Sequence, residues 1–410
     1  MTEPFIAVNP INSQNVVAGW MALEGSVISI RTRASFDGGK TWMPAVTIPH
    51  LSPEWGSADV SFAFDRAGVV YLSFIDFGRS SYGGAVALVK SLDGGMTWEP
   101  ATIVHRLPDT QFRLIDRPWI AVDASSGPRS GAIYVTSMTV YTQASNRRVY
   151  LHRSEDGGRT WTSVQLDDAT YPVGPYLSYG VPAVTADGQL AVAYLSDRGC
   201  GTAGATACLV VATSGDGGQS FVRRVVTPVY QPQGIRGFRF YSLAADPARP
   251  GRLALVRMDA RNGDADILFR YSTDGGAAWG PDVRVNDDPL NNGVQQDIPW
   301  VTISPAGVIG VAWLDRRRSG GEWGSPFDVY LAQSEDGAIF SANRALTPAP
   351  SVDPGTTVGS TTCCNSFLGI SESPAGVHAI WSDYRAGNWE VNAARTKNYP
   401  FRPRSPVRNQ

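Results

Sequence analysis

The chain has 410 residues with 35 basic and 37 acidic side chains, so its net charge is −2. This balance excludes the strongly basic surface on which nucleic-acid binding depends, and no run of 18 apolar residues is present to span a membrane as a helix. The abundance of glycine (43), proline (28) and tryptophan (12) favours short strands joined by turns over helices.

One short segment recurs six times along the chain, and we call its copies the Asp boxes. The Asp boxes are SFDGGKTW at 35–42, SLDGGMTW at 91–98, SEDGGRTW at 154–161, SGDGGQSF at 214–221, STDGGAAW at 272–279 and SEDGAIF at 334–340. Their starts lie 56, 63, 60, 58 and 62 residues apart. Such a period is typical of the four-stranded blade of a β-propeller.

Each Asp box has the chemistry of a tight turn. Its aspartate can accept backbone hydrogen bonds, and its glycines supply positive φ angles. We therefore expect each box to close the hairpin between the third and fourth strands of a blade. The aspartates of the boxes are predicted to be structural residues and not catalytic ones.

Strand-like segments precede each box in a fixed order. In the first unit the inner strand is PFIAVNP (4–10), the second is VVAGW (16–20), and the third is ISIRTRAS (28–35). Inner strands occur in seven units, of which the last, at about 365–396, has no box. We predict an all-β fold, a single propeller domain over residues 1–400 with seven blades, six being the alternative. A Pro/Arg-rich tail follows at 401–410.

The alternation of strand direction within a blade separates two faces. The boxes share one face with the turns between first and second strands, so loops for binding are expected on the opposite face. Asp–Arg pairs recur there in five units (IDFGR, SDR, MDAR, LDRR and SDYR) and are interpreted as braces. Side chains found in one unit only are better site candidates: Glu54, Trp55, Asp59, Arg113, Asp116, Arg117, Tyr179, Arg239, Tyr241, Asp297 and Glu322.

The boxes, the blade period and the W-x-D-x-R segments resemble the sialidase superfamily over essentially the whole chain. The resemblance implies a glycosidase acting on an acidic sugar at the channel mouth, with arginines on the substrate carboxylate, a tyrosine nucleophile paired with a glutamate, and an aspartate as acid/base. The family places its first arginine in the first unit, where this chain has only MTEP. Its catalytic domain also has six blades, so seven would be a departure.

The nearest matches to that arginine motif are DRPW (116–119) and FRFY (238–241). Carried over by resemblance, Arg117 and Arg239 would bind the carboxylate and Tyr241 would be the nucleophile. Its partner would be Glu322 or Glu54, and the acid/base would be Asp116 or Asp59. Arg113, Asp59, Tyr179, Asp297 and Trp55 complete the expected binding surface. The alternative is a non-catalytic propeller that binds a carbohydrate or a protein.

Four cysteines bear on the compartment of the protein. Cys200 and Cys208 flank GTAGATA and could close that loop as a disulfide, while the adjacent Cys363 and Cys364 could form a vicinal one; four reduced thiols are the other option. Together with the resemblance, the pairing predicts a secreted or periplasmic bacterial protein. We expect a monomer that binds a glycan or glycoconjugate and needs no cofactor, a structural calcium ion being the one exception considered.

Overall fold

The computed structural model describes residues 2–78, 84–107, 113–141, 147–173, 178–197, 200–231, 240–352, 368–374 and 376–396. Arg239, Cys363, Cys364 and the 401–410 tail lie outside the described residues. Every regular element within these ranges is a β-strand, and the strands form seven separate antiparallel sheets. The prediction of seven blades is confirmed.

The first three blades contain thirteen strands. These are β1 (Thr2–Val8), β2 (Val16–Glu24), β3 (Val27–Ser35) and β4 (Val46–Thr47) in blade 1; β5 (Trp55–Phe64), β6 (Val70–Gly78), β7 (Gly84–Ser91) and β8 (Thr102–Leu107) in blade 2; and β9 (Arg113–Asp116), β10 (Ile120–Val122), β11 (Ile133–Tyr141), β12 (Arg147–Ser154) and β13 (Thr162–Gln165) in blade 3. The inner strand of blade 3 is split into β9 and β10, which both pair with β11.

Fifteen strands form the other four blades. These are β14 (Val181–Val184), β15 (Leu190–Ser196), β16 (Ala207–Ser214) and β17 (Val222–Val229) in blade 4; β18 (Tyr241–Ala245), β19 (Leu253–Asp259), β20 (Asp266–Ser272) and β21 (Val283–Arg284) in blade 5; β22 (Gln296–Ile303), β23 (Ile309–Asp315), β24 (Asp328–Ser334) and β25 (Arg344–Ala345) in blade 6; and β26 (Leu368–Ser373), β27 (Gly376–Asp383) and β28 (Glu390–Thr396) in blade 7.

The inner strands form a closed ring around the axis of the molecule. The inner strand of each blade contacts those of both neighbours, and the ring ends where β1 meets β26. At this junction the backbone N–H of Val8 donates to Ser371 Oγ at 3.1 Å. Gly369 lets the two strands approach, because a Cβ there would lie 3.1 Å from the Ile6 nitrogen. Among the described residues, no blade combines strands from both ends of the chain. The ring is therefore closed by the packing of blade 7 against blade 1.

The Asp boxes form the turns that the sequence predicts. In the first box Ser35 Oγ donates to Asp37 Oδ1 at 2.8 Å, and the N–H groups of Lys40 and Thr41 donate to the same carboxylate at 2.9 Å. These hydrogen bonds, led by that from the Thr41 hydroxyl, hold the pKa of Asp37 below its usual range. Because its oxygens are occupied by its own turn, the box aspartate is a fold residue.

The Asp boxes lie on the same face as the turns between first and second strands, as the sequence predicts. The N–H of Gly38 in the first box donates to the carbonyl of Gln14, in the turn between β1 and β2, at 2.8 Å. In the next blade, the carbonyl of Gly94 in the second box accepts from Asn15 Nδ2 at 2.9 Å. Boxes and first turns therefore interlock on one face, which we call the box face. The opposite face carries the blade-to-blade connections.

A box aspartate is expected to affect stability and not turnover. Asp93 accepts hydrogen bonds from the N–H groups of Met96 at 3.0 Å and Thr97 at 2.9 Å, so Asp93→Ala should destabilise the fold by about 1–2 kcal/mol. Thermal melting measures this. Glu99→Ala, which removes only a surface ion pair with Lys90, is the control and should change stability by at most about 1 kcal/mol. An Asp93→Ala protein with unchanged melting but altered substrate turnover would contradict the assignment.

No helix in the described part of the chain is long and apolar enough to cross a membrane.

Candidate functional site

Four inner strands carry the same backbone irregularity near the end that faces away from the boxes. Glu3, Asp59, Arg117 and Ile298 have φ angles of 52°, 54°, 54° and 49°, in the left-handed region. Each lies where the pairing register of β1, β5 or β22 shifts, or where β9 and β10 separate. Non-glycine residues adopt this conformation at a cost of about 1–3 kcal/mol, and such bulges concentrate at functional sites.

Three of these bulges bring charged side chains together at the channel mouth. The backbone N–H of Arg117 donates to Asp59 Oδ2 at 2.8 Å, and the Asp59 carboxyl also hydrogen-bonds to Asp116 and Glu3. Glu3, Asp59 and Arg117 are buried, and Asp116 is half-buried. We call Glu3, Asp59, Asp116 and Arg117 the mouth cluster. It places three carboxyl groups around one guanidinium.

Burial and mutual repulsion keep protons on this cluster. Burial first, and then the charge of Glu3, raise the pKa of Asp59 to about 7, although the Asp116 hydrogen bond and Arg117 oppose the rise. Burial and then Asp59 raise the pKa of Asp116 well above its usual range. Because two adjacent and poorly solvated carboxylates cannot both ionise cheaply, the pair keeps a proton to a higher pH than isolated aspartates would. Asp116 can therefore donate a proton where an ordinary aspartate could not.

A layer of aromatic rings follows the mouth cluster along the inner strands. Phe5, Trp119 and Trp300, two residues after Glu3, Arg117 and Ile298, meet near the axis with ring centroids 5.2–5.6 Å apart. The Arg117 guanidinium lies 5.0 Å from the centre of the Tyr179 ring, which extends the layer towards blade 4. The site therefore has a rigid apolar floor, and its charged groups are poorly screened by water.

The structure gives Tyr241 a different role from the expected nucleophile. Tyr241 is 1% exposed and its ring stacks on Tyr179 with centroids 4.5 Å apart. Its hydroxyl donates to the Tyr179 carbonyl and accepts from the Tyr179 N–H at 3.1 Å. Burial raises the pKa of Tyr241 far above its usual range. The expected partner Glu322 is exposed in the loop before β24, so the position of Tyr241 supports packing and not nucleophilic attack.

The other predicted site residues are distributed around this centre. Asp297 accepts from Arg316 at 3.1 and 3.3 Å, and both are buried. Trp55 is buried at the start of β5, beneath the guanidinium of Arg106 at 5.4 Å. Arg113 lies in β9, where only its backbone is described, and Arg239 lies outside the described residues. Of the predicted set, the structure brings together Asp59, Asp116, Arg117 and Tyr179.

Two residues near the site were missed by sequence reasoning. Glu3 had a recognisable signal, because Glu3-Pro4-Phe5 repeats the Pro-aromatic pattern of DRPW (116–119) and IPW (298–300). Arg147, at the start of β12, is half-buried and interacts electrostatically with Asp116 and Asp197. Burial lowers its pKa, which these two carboxylates only partly offset. No periodic pattern marks Arg147, since it occupies an ordinary strand position.

A disulfide forms one of the loop closures that the cysteine spacing predicts. Cys200 and Cys208 are bonded, with their Cα atoms 5.4 Å apart. Within the described ranges no group of three or more histidine, cysteine, aspartate or glutamate side chains is arranged to hold a metal ion. A structural calcium ion stays a prediction.

Comparison with known proteins gives sialidases and other glycan-active enzymes. No family model matches the sequence. A xyloglucanase from a Paenibacillus species is 31% identical over 214 residues, covering 50% of this chain and 19% of the relative. A sialidase from Micromonospora viridifaciens is 25% identical over 275 residues, covering 61% of this chain and 40% of the relative. The chain thus spans less than half the length of these curated relatives.

The fold comparison agrees with the sequence comparison. The structure of a Hadza microbial sialidase matches with a TM-score of 0.52 at 15% identity, covering 90% of this chain and 73% of that one. At this identity the match speaks for the fold alone. Seven sheets in a closed ring, six Asp boxes and these similarities make the chain a sialidase-like β-propeller.

Proposed function

We propose that this chain is a glycoside hydrolase that acts at the channel mouth opposite the Asp boxes. The observation that carries the proposal is the mouth cluster, in which a half-buried Asp116 shares hydrogen bonds with buried Asp59 beside Arg117. A carboxylic acid that stays protonated at neutral pH is the group that glycosidic bond cleavage needs for leaving-group protonation. The names of the curated relatives, a xyloglucanase and a sialidase, support the reaction class.

In the proposed reaction Asp116 is the general acid. Its proton passes to the glycosidic oxygen as the bond from that oxygen to the anomeric carbon breaks, and a water molecule then bonds to that carbon and returns a proton to Asp116. Asp59 is a positioning residue, because its hydrogen bond orients Asp116 and its charge disfavours the ionised acid. Arg117 opposes the rise in the pKa of Asp116, because its positive charge favours the ionised carboxylate. Burial lowers the pKa of Arg117 itself, but the charges of Asp116 and Asp59 outweigh burial and raise it overall.

Within glycans we propose an acidic sugar as the substrate. Two guanidiniums, those of Arg117 and Arg147, interact with the acid at the mouth, and a substrate carboxylate could be bound by such donors in a bidentate manner. A neutral glycan such as xyloglucan is the competing substrate, since one of the curated relatives is named for it. Both substrates would enter from the face that carries the blade connections.

A second candidate is a binding propeller without catalysis. The observation in its favour is the burial of Asp59 and Arg117 next to the aromatic layer, which suits a rigid recognition surface as well as an active site. It would bind a carbohydrate or a protein. Binding without turnover distinguishes it from the hydrolase.

We also propose that the protein is a monomer in an oxidising compartment, either secreted or periplasmic in a bacterium. The support for the compartment is the Cys200–Cys208 disulfide, because such bonds persist outside the reducing cytosol.

The proposal is tested with a panel of fluorogenic glycosides that includes a sialoside, together with xyloglucan, on wild type and Arg117→Ala. We expect turnover of at least one substrate and a loss of about 10²-fold or more in Arg117→Ala, since a charged donor in a buried site contributes on that scale. Arg249→Ala is the control, because Arg249 lies on the box face beside Asp246. No turnover of any substrate, with glycan binding retained, would favour the binding module.

A further inference from the structure

A hydrogen-bonded row of serine, histidine and aspartate lies between blades 1 and 2, outside the mouth cluster. His50 Nε2 is 3.1 Å from Ser29 Oγ, and His50 Nδ1 is 3.1 Å from Asp76 Oδ1. Ser29 belongs to β3, His50 to the connection between β4 and β5, and Asp76 to β6. Blade connections and the ends of second strands lie on the face opposite the boxes, so the row is on the same face as the mouth.

The surrounding hydrogen bonds determine which nitrogen of His50 carries the proton. Asp76 is fully buried and accepts from the Leu51 N–H at 2.6 Å and from Ser57 Oγ at 2.8 Å. Ser57 Oγ also lies 2.7 Å from His50 Nδ1, nearer than Asp76. Because a carboxylate can only accept, its contact with Nδ1 favours the tautomer of His50 that carries the proton on Nδ1. Nε2 is then a free lone pair facing the Ser29 hydroxyl, which is the orientation a histidine needs to act as a base for a serine nucleophile.

This row breaks the repeat. In blades 5, 6 and 7 the aspartate at the end of the second strand binds the arginine two residues later: Asp259–Arg261 at 2.8 Å, Asp315–Arg317 at 2.8 Å and Asp383–Arg385 at 2.6 Å. These are the braces that the Asp–Arg pattern predicts. In blade 2 the aspartate Asp76 lies 3.1 Å from His50 Nδ1. Of the four histidines of the chain only His50 lies in a blade connection, so its contact with the aspartate is not required by the propeller architecture, which favours a function.

The chain also holds a comparison network that lacks the carboxylate. His152 is fully buried between Ser137 Oγ at 2.8 Å and Ser163 Oγ at 2.7 Å. Among the described residues no carboxylate hydrogen-bonds to this imidazole, and His152 is 0% exposed. The side chain of His50 is 14% exposed and Ser29 is 5% exposed, so the row between blades 1 and 2 retains some surface that solvent can reach.

We propose that Ser29, His50 and Asp76 form an acyl-transfer site for carboxylic esters with a short acyl group such as acetyl. Ser29 Oγ attacks the ester carbonyl while His50 Nε2 takes its proton. That proton passes to the leaving alcohol as the carbonyl–oxygen bond breaks, which leaves acyl-Ser29. Water then attacks the acyl group, gives its proton through His50 to Ser29 Oγ, and releases the carboxylic acid. The site is independent of the proposed glycoside hydrolysis.

The test is covalent labelling of the full wild-type chain with a small alkyl fluorophosphonate at pH 8, followed by peptide mapping. The expected result is an adduct on Ser29 and none on Ser137. Asp76→Asn should slow labelling by about 10²–10⁴-fold, as the loss of the orienting carboxylate does in serine hydrolases. Since mapping uses the wild-type protein, misfolding of a variant cannot hide the result.

Hydrolysis of p-nitrophenyl acetate gives a second readout. We expect folded Ser29→Ala to lose it to background while turnover of glycosides is unchanged, so the two functions fail separately. A folded wild-type chain without a Ser29 adduct would overturn the proposal. Labelling of Ser29 no faster than of Ser137, or ester hydrolysis retained in Ser29→Ala, would do the same.

Discussion

Asp116→Asn is expected to lower kcat by about 10²–10⁴-fold on any glycoside that the wild type hydrolyses, because the amide has no proton to deliver to the leaving group. The amide still fits beside Asp59, so folding should be retained. Glycoside kinetics and a thermal melt on the same preparations measure both. Asp187→Asn is the matched control, since Asp187 is an exposed aspartate in the turn between β14 and β15 on the box face.

The pH profile tests the same assignment independently. Burial and Asp59 raise the pKa of Asp116, so the acid keeps its proton to a higher pH than an ordinary aspartate, and wild-type kcat should fall at a correspondingly higher pH. An unperturbed aspartate, with a pKa of about 3.9, would lose its proton and its activity above about pH 5. Loss of kcat between pH 4 and 5, or full activity in Asp116→Asn, would remove Asp116 from the acid role.

Glu372→Gln is expected to stabilise the protein at neutral pH. Glu372 is buried in β26, where Gln333 Nε2 donates to Oε1 at 2.9 Å. Burial raises its pKa from the ordinary 4.5 to about 8. The folded state therefore keeps a proton that the unfolded chain loses above pH 4.5. The resulting stabilisation is complete below pH 4.5 and is lost as the pH rises towards 8.

At pH 7 this loss amounts to about 3 kcal/mol. Glutamine resembles the protonated acid and does not titrate, so Glu372→Gln should recover much of that energy, or about 3 °C of melting temperature for a chain of this size. The gain should vanish at pH 4. Melting curves at both pH values measure it, with the exposed Glu335→Gln of the sixth box as control. An equal shift at both pH values would show that Glu372 is not the titrating group.

The architecture could be predicted because the information is local and repeated. A DGG turn depends on hydrogen bonds within eight residues, such as those around Asp37 and Thr41, so every copy could be recognised without knowledge of its neighbours. The inner strand near Leu368 was recognisable without a box, since its apolar pattern repeats that of the other units. The functional face followed from strand direction alone.

The candidate site was predicted only in part. Asp59, Asp116, Arg117 and Tyr179 were singled out because each occurs in one unit near an inner strand, and the structure brings them together. Tyr241 met the same criterion but stacks on Tyr179 with its hydroxyl bound to backbone. A residue that occurs in only one blade near an inner strand is expected to lie near the axis. This criterion does not distinguish a side chain of the candidate site from one in the aromatic layer next to it.

By itself the sequence determined the blade repeat and the face on which chemistry is expected, and it favoured seven blades over six, because these features depend on turns and strand order. Only the tertiary structure decided which charged groups share the mouth. Glu3, Asp59 and Asp116 come from three blades and meet only when the ring closes. Their proton affinity depends on burial and on each other's charge, and both quantities exist only in the packed fold.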